Sequence, residues 1–259
     1  MKGIILAGGE GTRLHPVTLA ISKQLIPIYN KPLIYYPLTT LILAGITEIL
    51  IITNESYISN FTKLLGDGSG FGIQIEYQIQ KQSNGIPNAF IIGENFIGND
   101  PVALILGDNF FYGAGLGRSL QSINPVGAKI FVTQVTNPSH FGVLELDKQK
   151  RPLRIIEKPV KSDSNFAVTG LYFYSNDVVG YAKKLNPSSR GETEISDLNN
   201  IYLNQSRLEF QILSRNTVWL DTGTFEGIQN ASDFVRILET RQQISIGDPY
   251  NAARVQGFI

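Results

Sequence analysis

Hydrophobic positions along this chain fall into short unbroken runs separated by longer amphipathic stretches. Residues 2–7 form the first run, which stops at Gly8-Gly9-Glu10-Gly11 as a buried strand entering a loop does. Residues 32–44 have helical length and composition. Residues 48–53, Glu-Ile-Leu-Ile-Ile-Thr, are β-branched and short, which predicts a second buried strand. A helix is expected over 57–65, stopping at Gly66-Asp67-Gly68. A half-buried strand over 73–79, a helix over 87–93 and a third buried strand over 101–106 follow. Strands that are apolar throughout and alternate with helices imply a parallel sheet covered on both faces. Right-handed crossovers would then bring the strand ends and their loops to one edge.

The second half is richer in strands, expected over 129–134, 142–146, 153–156 and 166–174. Helices are expected over 176–185 and 194–203, strands over 207–213 and 217–220, and a long helix over 224–243. No Pro/Ser linker, charge block or repeat interrupts the chain. The simplest reading is one α/β domain over 1–259 with a mixed-sheet extension.

Composition narrows the chemistry. Lys plus Arg and Asp plus Glu number 22 each, so the net charge is zero, and 42% of residues are hydrophobic. That is ample material for a core and gives no bulk attraction to nucleic acid or an acidic membrane. With no Cys, thiol nucleophiles and disulfides are excluded, and having only His15 and His140 argues against a multi-histidine metal cage. The first apolar run is too short for a signal peptide, and residues 32–46 fall short of a membrane span. The expectation is a soluble cytoplasmic protein.

The strongest local signal is Leu6-Ala7-Gly8-Gly9-Glu10-Gly11-Thr12-Arg13-Leu14, directly after the first strand. Such glycines let backbone N–H groups approach a ligand closely, which suits phosphates. An ordinary tight turn is the plainer reading. No Gly-Lys-Ser/Thr follows, and Leu14 stands where a dinucleotide fingerprint has its third glycine. Arg13 adds a planar positive fork. Lys23, ten residues later, is either a second cation for a triphosphate or a solvated surface charge. Asp108 in Leu-Gly-Asp-Asn and Asp221 in Trp-Leu-Asp-Thr-Gly each end a strand-like run. Each is a turn or cap residue, or half of a Mg²⁺ site of the kind that substrate phosphates and water complete. Glu157-Lys158-Pro159 and Ser189-Arg190-Gly191-Glu192 add charges beside turn residues, and alone they read as solvated surface.

Taken together, these segments resemble the sugar-1-phosphate nucleotidylyltransferases over nearly the whole chain. The matching stretches include residues 1–14, 22–27, 106–113, 157–159, 165–174, 187–203 and 219–224. Ala167-Val168-Thr169-Gly170-Leu171-Tyr172-Phe173-Tyr174 and Arg190-Gly191-Glu192 point to the thymidylyl branch. The resemblance implies a Rossmann-like nucleotidyltransferase fold, a central, mixed and mostly parallel sheet flanked by helices. It implies a nucleotide-binding half over about 1–110, a sugar-phosphate-binding and assembly half over about 111–225 and a C-terminal helical segment over about 226–259. It also implies Mg²⁺-dependent transfer of a thymidylyl group from dTTP to glucose 1-phosphate, feeding deoxysugar pathways such as dTDP-rhamnose. The assembly implied is a homo-oligomer, a tetramer or a dimer. A UTP- or CTP-using relative, or a non-catalytic sugar-nucleotide sensor on the same fold, are the alternatives.

Carried over position by position, Gly8, Gly11 and Thr12 would wrap the nucleotide phosphates, while Arg13 and Lys23 would hold the departing pyrophosphate. Gln24 and Gln80 would contact the nucleotide, with Gln80 and Gly85 reading the base. Asp108 and Asp221 would ligate Mg²⁺. Glu157 would bind sugar hydroxyls, Gly142 would pack near the sugar, and Lys158 and Arg190 would grip the sugar phosphate. The chain departs from the family pattern at Lys81, Pro87 and Asn88 in the base-recognition stretch, and at Phe225, where the family usually has His.

Overall fold

A computed structural model describes all 259 residues, which form two compact units. The first holds residues 1–81, 104–123 and 215–259; the second holds 82–103 and 124–214. No helix is long and apolar enough to cross a membrane.

In the first unit, Lys2–Ala7 pairs in parallel with Glu48–Thr53, which pairs in parallel with Gln74–Ile79. Residues 104–106, from the strand Val102–Leu106, lie on the other side of Lys2–Ala7. Ile4, Ile5 and residues 49–52 have no exposed surface, which is why these strands show no polar alternation. Each such side chain contributes about 1.5–3 kcal/mol by leaving water. The expected helix over 32–44 begins later, at Tyr35, because Lys31–Pro32 instead pairs with Pro27–Ile28. Helix Ile58–Leu65 buries Phe61 and Leu65 and stops at Gly66, whose φ of 60° a side chain would disfavour.

Two further pieces complete this unit. Asn109–Gly113 pairs antiparallel with Thr217–Asp221, setting Asn109 opposite Asp221. The first of these strands was absent from the sequence expectation. Helix Phe225–Gln242 starts at Thr224, whose hydroxyl accepts the Gly227 N–H at 3.1 Å. It sends Ala231 and Val235 into a cluster with Ile28, Leu33, Tyr36, Phe110 and Ile246.

The second unit is more antiparallel. Phe166–Tyr174 pairs antiparallel with Ala128–Gln134 and with Gly142–Leu146. Gly142–Leu146 forms a hairpin with Pro152–Glu157. Leu208–Ile212 adds one parallel pairing to Ala128–Gln134. Helix Ile195–Asn204 packs on Pro152–Glu157, where the Asn200 amide both accepts the Ile155 N–H and donates to the Ile155 carbonyl. Strand pairing is thus parallel across Lys2–Ala7, Glu48–Thr53 and Gln74–Ile79, antiparallel in the two small sheets of the first unit, and mixed in the second. The helix expected over 176–185 shortens to Val178–Ala182.

Candidate active site

The glycine-rich loop is shaped by close contacts within the first unit. A Cβ on Gly8 would overlap the amide oxygen of Gln80, which is buried. Gly11 has φ 65°, and its carbonyl accepts the Leu14 N–H and the Thr18 hydroxyl, both at 2.8 Å. A Cβ there would stand 3.0 Å from Thr18 and 3.5 Å from Lys23. The loop and Lys23 are therefore packed together. Thr12 and Arg13 remain exposed on the turn that follows. Gln24 is buried with its amide oxygen held by the Ser22 hydroxyl at 2.7 Å, and its Cγ crowds Gly107.

Two carboxylates meet beside this loop. Because Asp221 sits opposite Asn109, the antiparallel pair brings it next to Asp108. The turn after Asp221 fastens the arrangement, since Thr222 donates its N–H and hydroxyl to the Asp108 carbonyl at 3.1 and 2.7 Å. Lys23 pairs directly with the Asp108 carboxylate. The other Asp108 oxygen accepts the Asn109 amide at 2.9 Å, and the Asn109 oxygen accepts the Trp219 indole N–H at 2.6 Å. Asp221 accepts the Gly223 N–H at 3.0 Å, and the Arg13 guanidinium lies against Gly223.

The two acids are not equivalent. Burial pushes both upward. At Asp108 the Lys23 charge and the hydrogen bonds from Lys23 and Asn109 outweigh burial and hold the carboxyl below the usual range. At Asp221 burial is reinforced by the charge of Asp108, and Lys23, Arg13 and the Gly223 N–H offset this only in part, so its affinity for a proton is raised. Asp221 is thus a mostly buried carboxylate short of positive charge.

That shortage is what a divalent cation would supply. No group of three or more acidic or histidine side chains in the chain is arranged to hold a metal ion by itself. A cation here would rest on Asp108 and Asp221 and take its remaining oxygens from substrate phosphates and water, the ordinary habit of Mg²⁺. The residues fit the group.

A second cluster lies in the second unit. Glu157 accepts the Ser196 hydroxyl at 2.6 Å, and both crowd Gly142, where a Cβ would lie 2.8 Å from the Ser196 oxygen and 3.3 Å from the Glu157 carboxylate. Lys158 Nζ stands 4.0 Å from Glu157, and Lys158 itself has φ 43°, an uncommon backbone for a residue before proline. Arg190 Nη2 is 3.5 Å from Glu157. It also makes a two-pronged bond to Glu194, at 3.0 and 2.6 Å. A Cβ on Gly85, φ 99°, would overlap the Thr193 carbonyl, so the fold itself demands glycine there.

Nine sequence-derived candidates therefore gather in the first unit, Gly8, Gly11, Thr12, Arg13, Lys23, Gln24, Gln80, Asp108 and Asp221. Five lie in the second, Gly85, Gly142, Glu157, Lys158 and Arg190. Sequence reasoning missed Asn109, Trp219, Ser196 and Glu194. Asn109 and Trp219 lie inside motifs already singled out. For Ser196 and Glu194 the one signal was proximity to Arg190.

Residues 2–237 match the family model described as nucleotidyl transferase. Over 260 aligned residues, the whole chain and 90% of the relative, it is 53% identical to a glucose-1-phosphate thymidylyltransferase of Mycolicibacterium smegmatis. It is also 53% identical to the one from Neisseria meningitidis, over 95% of this chain and 86% of that one. Among solved structures, a protein assigned as a glucose-1-phosphate thymidylyltransferase from Bacillus anthracis superposes with a TM-score of 0.86 at 38% identity, over 97% of this chain and 99% of that one. A UDP-glucose pyrophosphorylase complexed with UDP-glucose gives 0.79 at 25% identity, over 93% and 99%. The α/β nucleotidyltransferase fold expected from the sequence is borne out.

Proposed function

The chain belongs to the nucleotidyl transferase family, and within it we infer that this protein transfers a thymidylyl group from dTTP to α-D-glucose 1-phosphate. The products are dTDP-glucose and pyrophosphate. The observation that carries the chemistry is the convergence of Asp108, Asp221, Lys23 and Arg13 on one glycine-rich loop.

A phosphate oxygen of glucose 1-phosphate attacks the α-phosphorus of dTTP, a new P–O bond forms, and the bond to the β-phosphate oxygen breaks. The nucleophile is already anionic at neutral pH, so no general base is needed. The obstacle is repulsion between two polyanions. Catalysis is therefore positioning and charge stabilisation. The loop backbone from Gly8 to Thr12 holds the triphosphate, and Arg13 takes up charge on the leaving pyrophosphate. Lys23, paired with Asp108 in the free protein, fixes that carboxylate and adds a cation beside it. Asp108 and Asp221 would hold a divalent cation, Mg²⁺, which would supply positive charge to neutralise the phosphates. Gln24 and Gln80 contact the nucleotide, and Gly85 keeps its loop close enough to read the base. In the second unit, Glu157 accepts from the sugar hydroxyls beside Gly142, while Lys158 and Arg190 bind the sugar phosphate. The proposal extends to a cytoplasmic location, because nucleoside triphosphate is a cytoplasmic substrate, and to the homo-oligomer that the family resemblance implies.

A matrix of nucleoside triphosphates against sugar 1-phosphates, scored by pyrophosphate release with and without Mg²⁺, tests this reading. The dTTP–glucose 1-phosphate pair should give the highest kcat/KM. A preference for UTP would move the chain to the uridylyl branch, whose fold it shares. No turnover with any pair would favour a sensor.

A further inference from the structure

Glu194 stands out as a buried carboxylate that the proposed chemistry leaves without a task. It is 6% exposed, yet its partner Arg190 is an exposed side chain. Arg190 Nε and Nη2 donate to the two Glu194 oxygens at 3.0 and 2.6 Å, and the Ser188 hydroxyl donates to Oε1 at 2.6 Å. The Ser188 oxygen in turn accepts the Arg190 backbone N–H at 3.1 Å. Serine, arginine and glutamate thus form a closed ring across one short loop, which turns at Gly191 with φ 79°.

A guanidinium carries five N–H groups in a rigid plane. The fork to Glu194 occupies one edge, and the N–H groups of the opposite edge remain available. Glu157 is 3.5 Å away, close enough to attract but outside a hydrogen bond. An incoming phosphate cannot draw Arg190 off Glu194 without leaving a buried carboxylate unpaired, which is strongly unfavourable. The anion is met by a guanidinium whose orientation is already fixed, so less ordering is lost on binding.

We propose that Glu194 is a positioning residue for the sugar phosphate, clamping Arg190 by one edge so that its other edge faces the phosphate group. This rests on the reading of Arg190 as a phosphate contact. Glu194→Gln keeps size and burial but turns one acceptor into a donor facing a guanidinium N–H, which breaks the fork.

Steady-state kinetics of pyrophosphate release should separate the possibilities. For Glu194→Gln, KM for glucose 1-phosphate should rise about tenfold, the order expected for losing one charge-assisted hydrogen bond. KM for dTTP should stay within about twofold, because that ligand's contacts are untouched. Glu194→Asp, which restores the charge on a shorter stem, should recover part of the loss. Ser188→Ala should shift the same constant in the same direction by a smaller factor, and it keeps the proposal testable if Glu194→Gln does not fold. Equal rises in both KM values would overturn the proposal by showing a merely structural role. A fall in KM for glucose 1-phosphate would overturn it by showing that Glu194 competes with the phosphate. Arg190→Ala completes the set. If it leaves KM for glucose 1-phosphate unchanged, the Arg190 assignment itself is wrong and the positioning role falls with it.

Discussion

Arg13 and Asp221 show how much each residue's surroundings decide its work. Arg13 is exposed beside the glycine loop and Gly223, free to meet a phosphate. An arginine acting on phosphoryl charge contributes about 10³–10⁵ in rate. Arg13→Ala should lower kcat by roughly that range while circular dichroism stays unchanged and the melting temperature falls only slightly, through the lost offset to the Asp221 charge; near-normal turnover would remove it from the chemistry. Asp221 works in the opposite sense. Burial and the neighbouring Asp108 charge raise its proton affinity, so at neutral pH the ionised group costs folding stability. Asp221→Asn should therefore melt higher at pH 7, each kcal/mol gained appearing as about 2–4 °C. The gap should close below the ordinary aspartate value of 3.8, where the carboxyl is protonated in folded and unfolded chains alike. A lower melting point at pH 7 would contradict the charge-repulsion account. A stabilised but inactive variant is the expected signature of a functional site held against its own electrostatics.

At the scale of elements, the pairing of Asn109–Gly113 with Thr217–Asp221 is what makes the site. Strands such as Lys2–Ala7 and Glu48–Thr53 were legible because apolar, β-branched runs declare a doubly covered strand. Asn109–Gly113 was not, because Asn-Phe-Phe-Tyr-Gly has no period-2 pattern and its partner lies about a hundred residues away. The two acids could be named from their motifs, but their adjacency depends on a register that local sequence does not encode. Glu192 and Glu194 make the same point. Both lie near Arg190 in sequence, and only the turn at Gly191 determines that Glu194 takes the bidentate pair. The pairing also sets up a relay from Trp219 through Asn109 to Asp108. Trp219→Phe removes the indole N–H that fixes the Asn109 amide. It should raise the divalent-ion concentration for half-maximal activity several-fold and cost about 1 kcal/mol of stability. Unchanged metal dependence would make the relay incidental.

For the whole molecule, the chain's returns between its two units leave no mark in composition, since each crossing falls inside an ordinary loop or strand. The acid response should be collective. Asp108, Asp177, Glu194 and Glu239 are all held below their usual values; burial opposes this, but Lys23, Arg207, Arg190 and Lys31, with their hydrogen bonds, prevail. Their contributions are present above the unfolded values of 3.8 and 4.5 and are lost as pH falls through the folded ones. Asp221 runs counter to this and softens the loss. Urea denaturation should show stability falling below about pH 4, more gently in the wild type than in Asp221→Asn. A stability flat down to pH 3 would mean these pairs add little.

The central claim is that Asp108 and Asp221 act as one site for a divalent cation that serves the nucleotide. Mn²⁺ binding followed by electron paramagnetic resonance in the presence of dTTP tests it without relying on turnover. The wild type should immobilise Mn²⁺ together with dTTP, and Asp221→Asn should weaken that binding at least about tenfold, a loss of roughly 1.4 kcal/mol. Equal Mn²⁺ affinity in the two proteins would contradict the shared site.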